Sequence, residues 1–310
     1  MHQIIVTLLL SIALFSKQCA AQEQAEQNLK YGVILFDEGE YEAAYQQLKP
    51  LAEAKEPTAS YYVGRMYKNG FGVTRNLEMA LKYLDASANK GNPLAQYSLG
   101  NMYANGIGVE RNSTKAISYY EASSNLGNPK AQVEMALLYE VGSGVEKDPA
   151  KALKLLNEAS RKSDVRAMFN LGRYYEDGIG ATQDYSAAMK WYRKASDAGY
   201  PEAQVELGLM YEMGKGVPRD ELTSFEQFRK AAIQGNAIAQ GFLGVKYAYG
   251  RGVQLNSHLG YMWTKIAADG GNQRARKLSV LLERNMKTDE LVQAKKSAER
   301  CLSSRFQNCR

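Results

Sequence analysis

The chain is short of the residues on which most active sites are built. Its 310 residues include two histidines, three cysteines, two tryptophans and seven prolines. No Cys/His spacing suits a metal ion, and there is no nucleophile elbow. His2 lies in the N-terminal segment, so His258 is the one histidine of the chain body. It sits near a helix start with no nameable partner to make it a general base, and it reads as a surface residue. Scarce proline alongside 27 glycines suits many helices divided by tight turns. No apolar run reaches the ~20 residues that a membrane-spanning helix needs. These absences point away from an enzyme and imply no cofactor.

What is present at the N-terminus reads as a targeting segment. Ile4 to Phe15 is an uncharged, mostly apolar run, and Cys19-Ala20-Ala21 follows as a cleavage site with the cut after Ala21. The n-region carries no Lys or Arg. A lipid anchor on Cys19 is disfavoured because Lys17 and Gln18 stand where small or apolar residues belong. A buried N-terminal helix is the other alternative. Residues 1–21 are therefore expected to be a signal peptide, and the protein to be exported, periplasmic or secreted, with no transmembrane segment left after processing. Without residues 1–21 the chain keeps two cysteines, Cys301 and Cys309, expected to pair in an oxidising compartment.

Charge separates along the mature chain. Residues 274–310 hold ten Lys/Arg against four Asp/Glu, whereas residues 22–273 hold 28 against 29. A nearly neutral body argues against nucleic acid, which needs a basic face along its length.

A repeat decides the fold. Steps of thirty-six link Ala59, Ala95, Ala131, Ala167, Ala203, Ala239 and Ala275 without an insertion. The same step links Tyr67 to Tyr103, Tyr139, Tyr175, Tyr211 and Tyr247, and it links the Gly-x-Gly pairs from Gly70/Gly72 to Gly250/Gly252. Each repeat reads as two helices. In the second, Ala95, Leu99, Met102 and Tyr103 share one face, Gly106 and Gly108 break the helix, and Val109 plugs the turn. A second helix runs from about Ser113 to Asn125, closed by Gly127. Gly100 and Ala116 are small enough for close helix crossing. The Tyr ladder, with Trp191 and Trp263, falls in helical phase with the core. The expected fold is all-α, a right-handed superhelical solenoid of stacked antiparallel helix pairs.

The pattern A-x3-L-G-x2-Y-x2-G-x-G-V followed by A-x2-W-Y-x-K-A resembles the Sel-one-like repeat (SLR) family, a relative of tetratricopeptide repeats. The fourth repeat carries it best, through Leu171-Gly172, Tyr175, Gly178, Gly180, Ala188, Trp191-Tyr192 and Lys194-Ala195. Departures are local: Ala136 and Ser163 in the third repeat, Ala181 in the fourth, Ser224 and Gln227 in the fifth. The expected organisation is a signal peptide at 1–21, a tetratricopeptide-like helix pair at 22–58, six repeats at 59–274 and a helical cap at 275–310. The N-terminal pair is read from Gly32, Gly39, Tyr41, Ala44 and Leu48. In the cap, Leu278, Val280, Leu281, Leu282 and Met286 give one apolar helix, and Thr288 is the expected N-cap of the last one.

The resemblance implies a scaffold that holds a protein or peptide on a concave face lined by the first helix of each repeat. Carried onto this sequence, one column is Tyr61, Tyr97, Val133, Phe169, Val205 and Gly241. The next is Arg65, Asn101, Leu137, Arg173, Leu209 and Val245. A third contains Lys68, Glu140, Glu176 and Glu212, whose acids read as a solvated helix face. Partner-binding residues are expected among Tyr61, Arg65, Lys68, Tyr97, Asn101, Phe169, Arg173, Glu176 and Glu212. The resemblance also raises β-lactam binding or hydrolysis, known in a cysteine-rich branch that staples each repeat with a disulfide. No repeat here contains a cysteine. Binding of a host factor is a further alternative. The cysteine arithmetic has a direct check: in protein recovered from the exported fraction, Cys301 and Cys309 resist a thiol label until a reductant is added. Labelling without reductant contradicts the pairing.

Overall fold

The structure is a computed structural model that describes the backbone of residues 2–309, with the side chains of Gln18 and of residues 20–309. The expected targeting segment, residues 1–21, falls largely outside the described side chains, Cys19 included. Among the described residues there are helices and no strands. The chain divides into two compact units, Met1–Lys147 and Asp148–Arg310.

In the first unit the helices are α1 (His2–Glu38), α2 (Tyr41–Glu53), α3 (Pro57–Asn69), α4 (Leu77–Ala88), α5 (Pro93–Asn105), α6 (Ser113–Asn125) and α7 (Pro129–Val141). Each packs on the next along the chain. The loops are short, so neighbours run antiparallel. In the second unit α8 (Pro149–Arg161), α9 (Val165–Asp177), α10 (Tyr185–Asp197), α11 (Pro201–Met213), α12 (Glu221–Ala232), α13 (Ala237–Tyr249) and α14 (Ser257–Asp269) stack in the same way. α15 (Gln273–Asn285) and α16 (Thr288–Ser303) both pack on α14.

Local chemistry explains most boundaries, Tyr200 at the start of α11 being a cap position without a side-chain bond. The helices that open the repeats begin at Asn92, Asn128, Asp164, Asn236 and Asn272, whose side chains accept backbone N–H groups of the first turn. The second helices begin at Asn76, Asn112, Asp148, Asp184, Asp220 and Asn256 with the same bond. These caps satisfy donors that a helix end otherwise leaves open. They recur every thirty-six residues, a column not read from the sequence. The cap residue's own N–H closes the loop onto the ladder tyrosine's carbonyl, as in Asn112 to Tyr103 at 2.9 Å and Asn256 to Tyr247 at 2.8 Å.

The second glycine of the loop is required by space as well as by conformation. At Gly252, with φ of +70°, a Cβ would lie 2.0 Å from the Glu221 carbonyl oxygen at the start of α12. Each loop is thus seated on the preceding second helix. Within a hairpin the first helix presents a small residue to a large one. A Cβ on Gly100 would meet the Tyr120 ring at 2.6 Å, and one on Gly172 would meet Tyr192 at 2.5 Å. Gly32 of the N-terminal pair stands equally close to Leu48, at 2.7 Å.

The cores follow. Leu35, Phe36, Leu48, Val63 and Met66 form one, and Tyr61, Leu84, Leu99 and Met102 the next. The second unit buries Met189, Tyr192, Leu207 and Met210, then Phe225, Phe228, Leu243, Met262, Trp263 and Cys301. Most ladder tyrosines depart from expectation, whereas Tyr139 is buried as expected. Tyr67, Tyr103, Tyr175, Tyr211 and Tyr247 are half-buried, and so is Trp191. The position just before each of these half-buried tyrosines takes the interior instead, as at Met66, Met102, Tyr174 and Met210. One residue is 100° of helix, enough to turn the tyrosine to the hairpin edge. There Tyr103 stacks on Tyr119 with centroids 5.7 Å apart.

Three features of the C-terminal region also differ. Lys287, not Thr288, occupies the N-cap of α16, without a side-chain bond; Asp289 and Glu290 do lie in its first turn. Val280 and Leu281 are exposed, because α16 returns onto α14. His258 is half-buried, its Nε2 3.1 Å from the Ser297 hydroxyl, and so ties α14 to α16.

The turn that ends each second helix needs a left-handed residue, supplied by Gly91, Gly127, Gly199, Gly235 and Gly271. Lys55 and Ser163 stand in the same column at φ of 62° and 61°. A side chain there is strained. Nothing lies within 4 Å of a Cβ on Gly199, so the effect at this position is one of backbone alone. Ser163→Gly is expected to stabilise the protein by about 0.5–1 kcal/mol, and Gly199→Ser to destabilise it by a similar amount. Denaturant midpoints check both signs.

Candidate functional site

The first helices of the repeats carry the expected binding columns. In the first unit the Arg65 guanidinium lies over the Phe36 ring at 4.7 Å and near Tyr61 and Tyr62 at 5.5 and 5.8 Å. Such rings attract a cation through their quadrupoles. Tyr61, expected as an exposed anchor, is buried at 8% exposure within the core beneath α3 and α5. Burial raises its hydroxyl pKa, and Arg65 opposes the rise. Lys68 is half-buried one turn on, its pKa lowered first by burial and then by Arg65. On α5, Tyr97 is half-buried and leans on Tyr120 at 6.0 Å. The Tyr120 hydroxyl donates to Asn101 Oδ1 at 2.9 Å.

In the second unit Phe169 packs between Tyr192 and Tyr200 at 5.7 and 5.3 Å. Arg173 is half-buried one turn further along α9, its guanidinium 5.8 Å from the Tyr174 ring. Glu176 receives the Tyr192 hydroxyl at 3.0 Å and the Lys215 ammonium at 3.0 Å. Burial, and then Glu176, raise the pKa of Tyr192. Glu206 lies beside this group on α11. Its carboxyl is held above its ordinary value first by burial and then by Glu176, while Lys215 opposes.

The acid column is therefore not a solvated face. The side chains of Glu176 and Glu212 are 15% and 21% exposed, and both are drawn into ion pairs between repeats. Glu212 meets Lys246 at 3.4 Å and Arg251 at 3.9 Å. Lys246 is 1% exposed, and its ammonium also contacts Glu221, which Arg219 contacts in turn. Sequence reasoning missed this lysine. The available signal was its column, in which Met66, Met102 and Met210 are apolar.

No group of three or more His, Cys, Asp or Glu residues is placed to hold a metal, and no helix is long and apolar enough to cross a membrane, among the described residues. Cys301 and Cys309 are bonded, with Cα atoms 4.5 Å apart.

Stacked antiparallel hairpins of thirty-six residues, with interlocked aromatic and charged side chains on the first helices of each unit, define an α-helical repeat protein of the solenoid class. The Sel1 repeat family matches at residues 57–92, 93–128, 129–164, 165–200, 201–236 and 237–272. The chain belongs to the Sel1 repeat family, whose repeats are typical of protein–protein interaction scaffolds. A Sel1 repeat protein from Oxalobacter formigenes is similar in structure, with a TM-score of 0.72 and 29% identity, over 77% of this chain and 96% of that one. A protective antigen present in uropathogenic Escherichia coli strains, displaying an SLR fold, shares the fold. It has a TM-score of 0.53 and 22% identity over 91% of this chain and 78% of its own. No curated protein matches the chain in a sequence comparison.

Glu206 provides a pH test of the geometry. A carboxyl whose pKa is raised on folding binds its proton more tightly in the native state. Stability is then lost as pH rises above the unfolded value near 4.5. Glu206→Gln is expected to raise the melting temperature relative to the parent at pH 7, and to confer no gain below pH 4.5. Thermal melts across that range check it.

Proposed function

We propose that this protein is an exported helical-repeat scaffold that binds a protein or peptide partner on the first-helix face of its repeats. The observation that carries the reading is that side chains on the first helices are joined into linked groups within each unit. Tyr97, Tyr120 and Asn101 form one linked group on α5 and α6. Phe169, Tyr192, Tyr200, Glu176 and Lys215 form another across α9 to α11. Half-buried rings held rigid by neighbours lose little entropy when a partner covers them, and rings with an adjacent guanidinium are the residue types that most often dominate binding energy. Arg65, Lys68 and Arg173 add cationic positions, and a guanidinium fork suits carboxylates on the partner. Glu176 and Glu212 act here by orienting Lys215 and Arg251, since their own charges are paired within the fold. The Cys301–Cys309 bond fits an oxidising compartment.

The test is capture with chemical crosslinking from the envelope and secreted fractions, with partners identified by mass spectrometry. Tyr97→Ala is expected to weaken a captured complex by ~1–3 kcal/mol while the helical spectrum is retained. Leu99→Ala, at a site 1% exposed, is expected to lose ~2–5 kcal/mol of stability instead. A captured partner that binds the parent and Tyr97→Ala equally well removes this face from the function.

A further inference from the structure

At the C-terminal end of the second unit, the polypeptide leaves α16 and folds back over the last complete repeat. Ser304 opens the turn, its hydroxyl donating to the Cys301 carbonyl at 2.9 Å and accepting the Asn308 N–H at 2.9 Å. Arg305 and Phe306 then adopt left-handed φ of 51° and 67°, two consecutive side-chain-bearing residues in a region that disfavours them. The Cys301–Cys309 bond closes the loop. Phe306 is laid against Gly235, where a Cβ would come within 3.1 Å of its ring.

Between this loop and helices α12 to α14 lies a cleft of about 570 Å³. Its walls include the rings of Tyr247, Trp263 and Phe306, the guanidinium-bearing Arg229 and Arg305, and Cys309. A volume of this size, in which aromatic rings meet a few convergent polar groups, is that of a small-ligand site. The two cations differ. Arg229 gives its Nε and one terminal nitrogen to Glu226, at 3.1 and 2.8 Å. Arg305 is exposed and pairs with no acid among the described residues. Arg229, Glu226 and Arg305 together carry one net positive charge, which matches a monoanion better than a dianionic phosphate. The rings beside it suit a flat or apolar body.

We propose that this cleft binds a carboxylate carried on an aromatic-sized apolar body, with the body against Trp263 and Phe306 and the carboxylate on Arg305. The cleft borrows Leu243 and Tyr247 from α13 but none of the residues named for the scaffold reading, on which the inference does not depend. The disulfide acts as a positioning element, since it holds the strained loop that supplies both Phe306 and Arg305. Such a ligand exists as a free aryl acid or as the C-terminal residue of a peptide.

The experiment uses the full disulfide-bonded chain and follows its two tryptophans, Trp191 and Trp263, by NMR. Four probes are titrated: 3-phenylpropionate, its neutral amide, a short peptide ending in Phe with a free carboxylate, and the same peptide amidated. The Trp263 resonances are expected to shift saturably with an acid, while those of Trp191 stay in place. The matching amide, or Arg305→Gln with the acid, is expected to bind about tenfold more weakly, as for loss of one charge-assisted hydrogen bond. The exposed Lys277→Gln on α15 is expected to bind as the parent does. A response to both acids supports a site for the free acid, and a response to the peptide acid alone supports a peptide terminus. The proposal is overturned if no probe moves Trp263. It is also overturned if acid and amide bind equally, or if Arg305→Gln, with an unchanged melt, binds as tightly as the parent.

Discussion

Within most hairpins the two backbones meet where a small residue of the first helix lies beneath a large side chain of the second, while in the sixth repeat Gly244 faces the smaller Thr264. Gly100 faces Tyr120, Gly172 faces Tyr192, and Gly208 faces Phe228, with an added Cβ coming within 2.6, 2.5 and 2.8 Å of the ring. The ring fills the crossing and lies along the first helix. Its polar tip then emerges on that helix's outer side. Tyr120 delivers its hydroxyl to Asn101, and Tyr192 delivers its own to Glu176. The packing that holds a hairpin closed thus also orders polar groups on the proposed binding face. In the fifth repeat Phe228 fills the crossing without a hydroxyl.

Stacking depends on a second close approach. The loop glycine of each repeat sits on the start of the preceding second helix, as Gly252 does on Glu221. Side chains add to the junction. Gln96, Gln204 and Gln240 donate to the carbonyls of Ala88, Ser196 and Ala232, near the end of the helix just before their own. Groups that a helix end leaves open are thereby satisfied by the next repeat. Lys246 extends the idea with charge, for it places an ammonium among Glu221 and Glu212 where other repeats use an apolar chain. A buried ion pair of this kind is costly to break from one side. The strain at Ser163 and the raised carboxyl of Glu206 are local costs that the packed array tolerates.

Much of the fold is legible in the sequence because its determinants are local. The thirty-six-residue ladder of alanine and glycine marks the hairpins, and the helix Ser113–Asn125 falls where the pattern put it. Gly100 was readable as a crossing residue since only small side chains permit contact between backbones. The capping Asn/Asp column is equally present, but its spacing lies beneath the stronger tyrosine and glycine ladders.

The candidate site was less legible, because exposure depends on which neighbour covers a helix face. Tyr61 and Tyr97 share a repeat column, yet Tyr61 joins the core and Tyr97 stays half-buried. Tyr103 and Tyr175 have core periodicity and still lie at hairpin edges. Glu176 and Glu212 look like solvated acids until Lys215, Lys246 and Arg251 arrive from other loops and helices. The sequence by itself determined the repeat, its helices and its breaks, since helix phase, glycine and capping act over a few residues. Only the tertiary structure decided which rings remained reachable, which charges were neutralised and that a cleft opens under the C-terminal loop, because each of these requires side chains distant along the chain to meet.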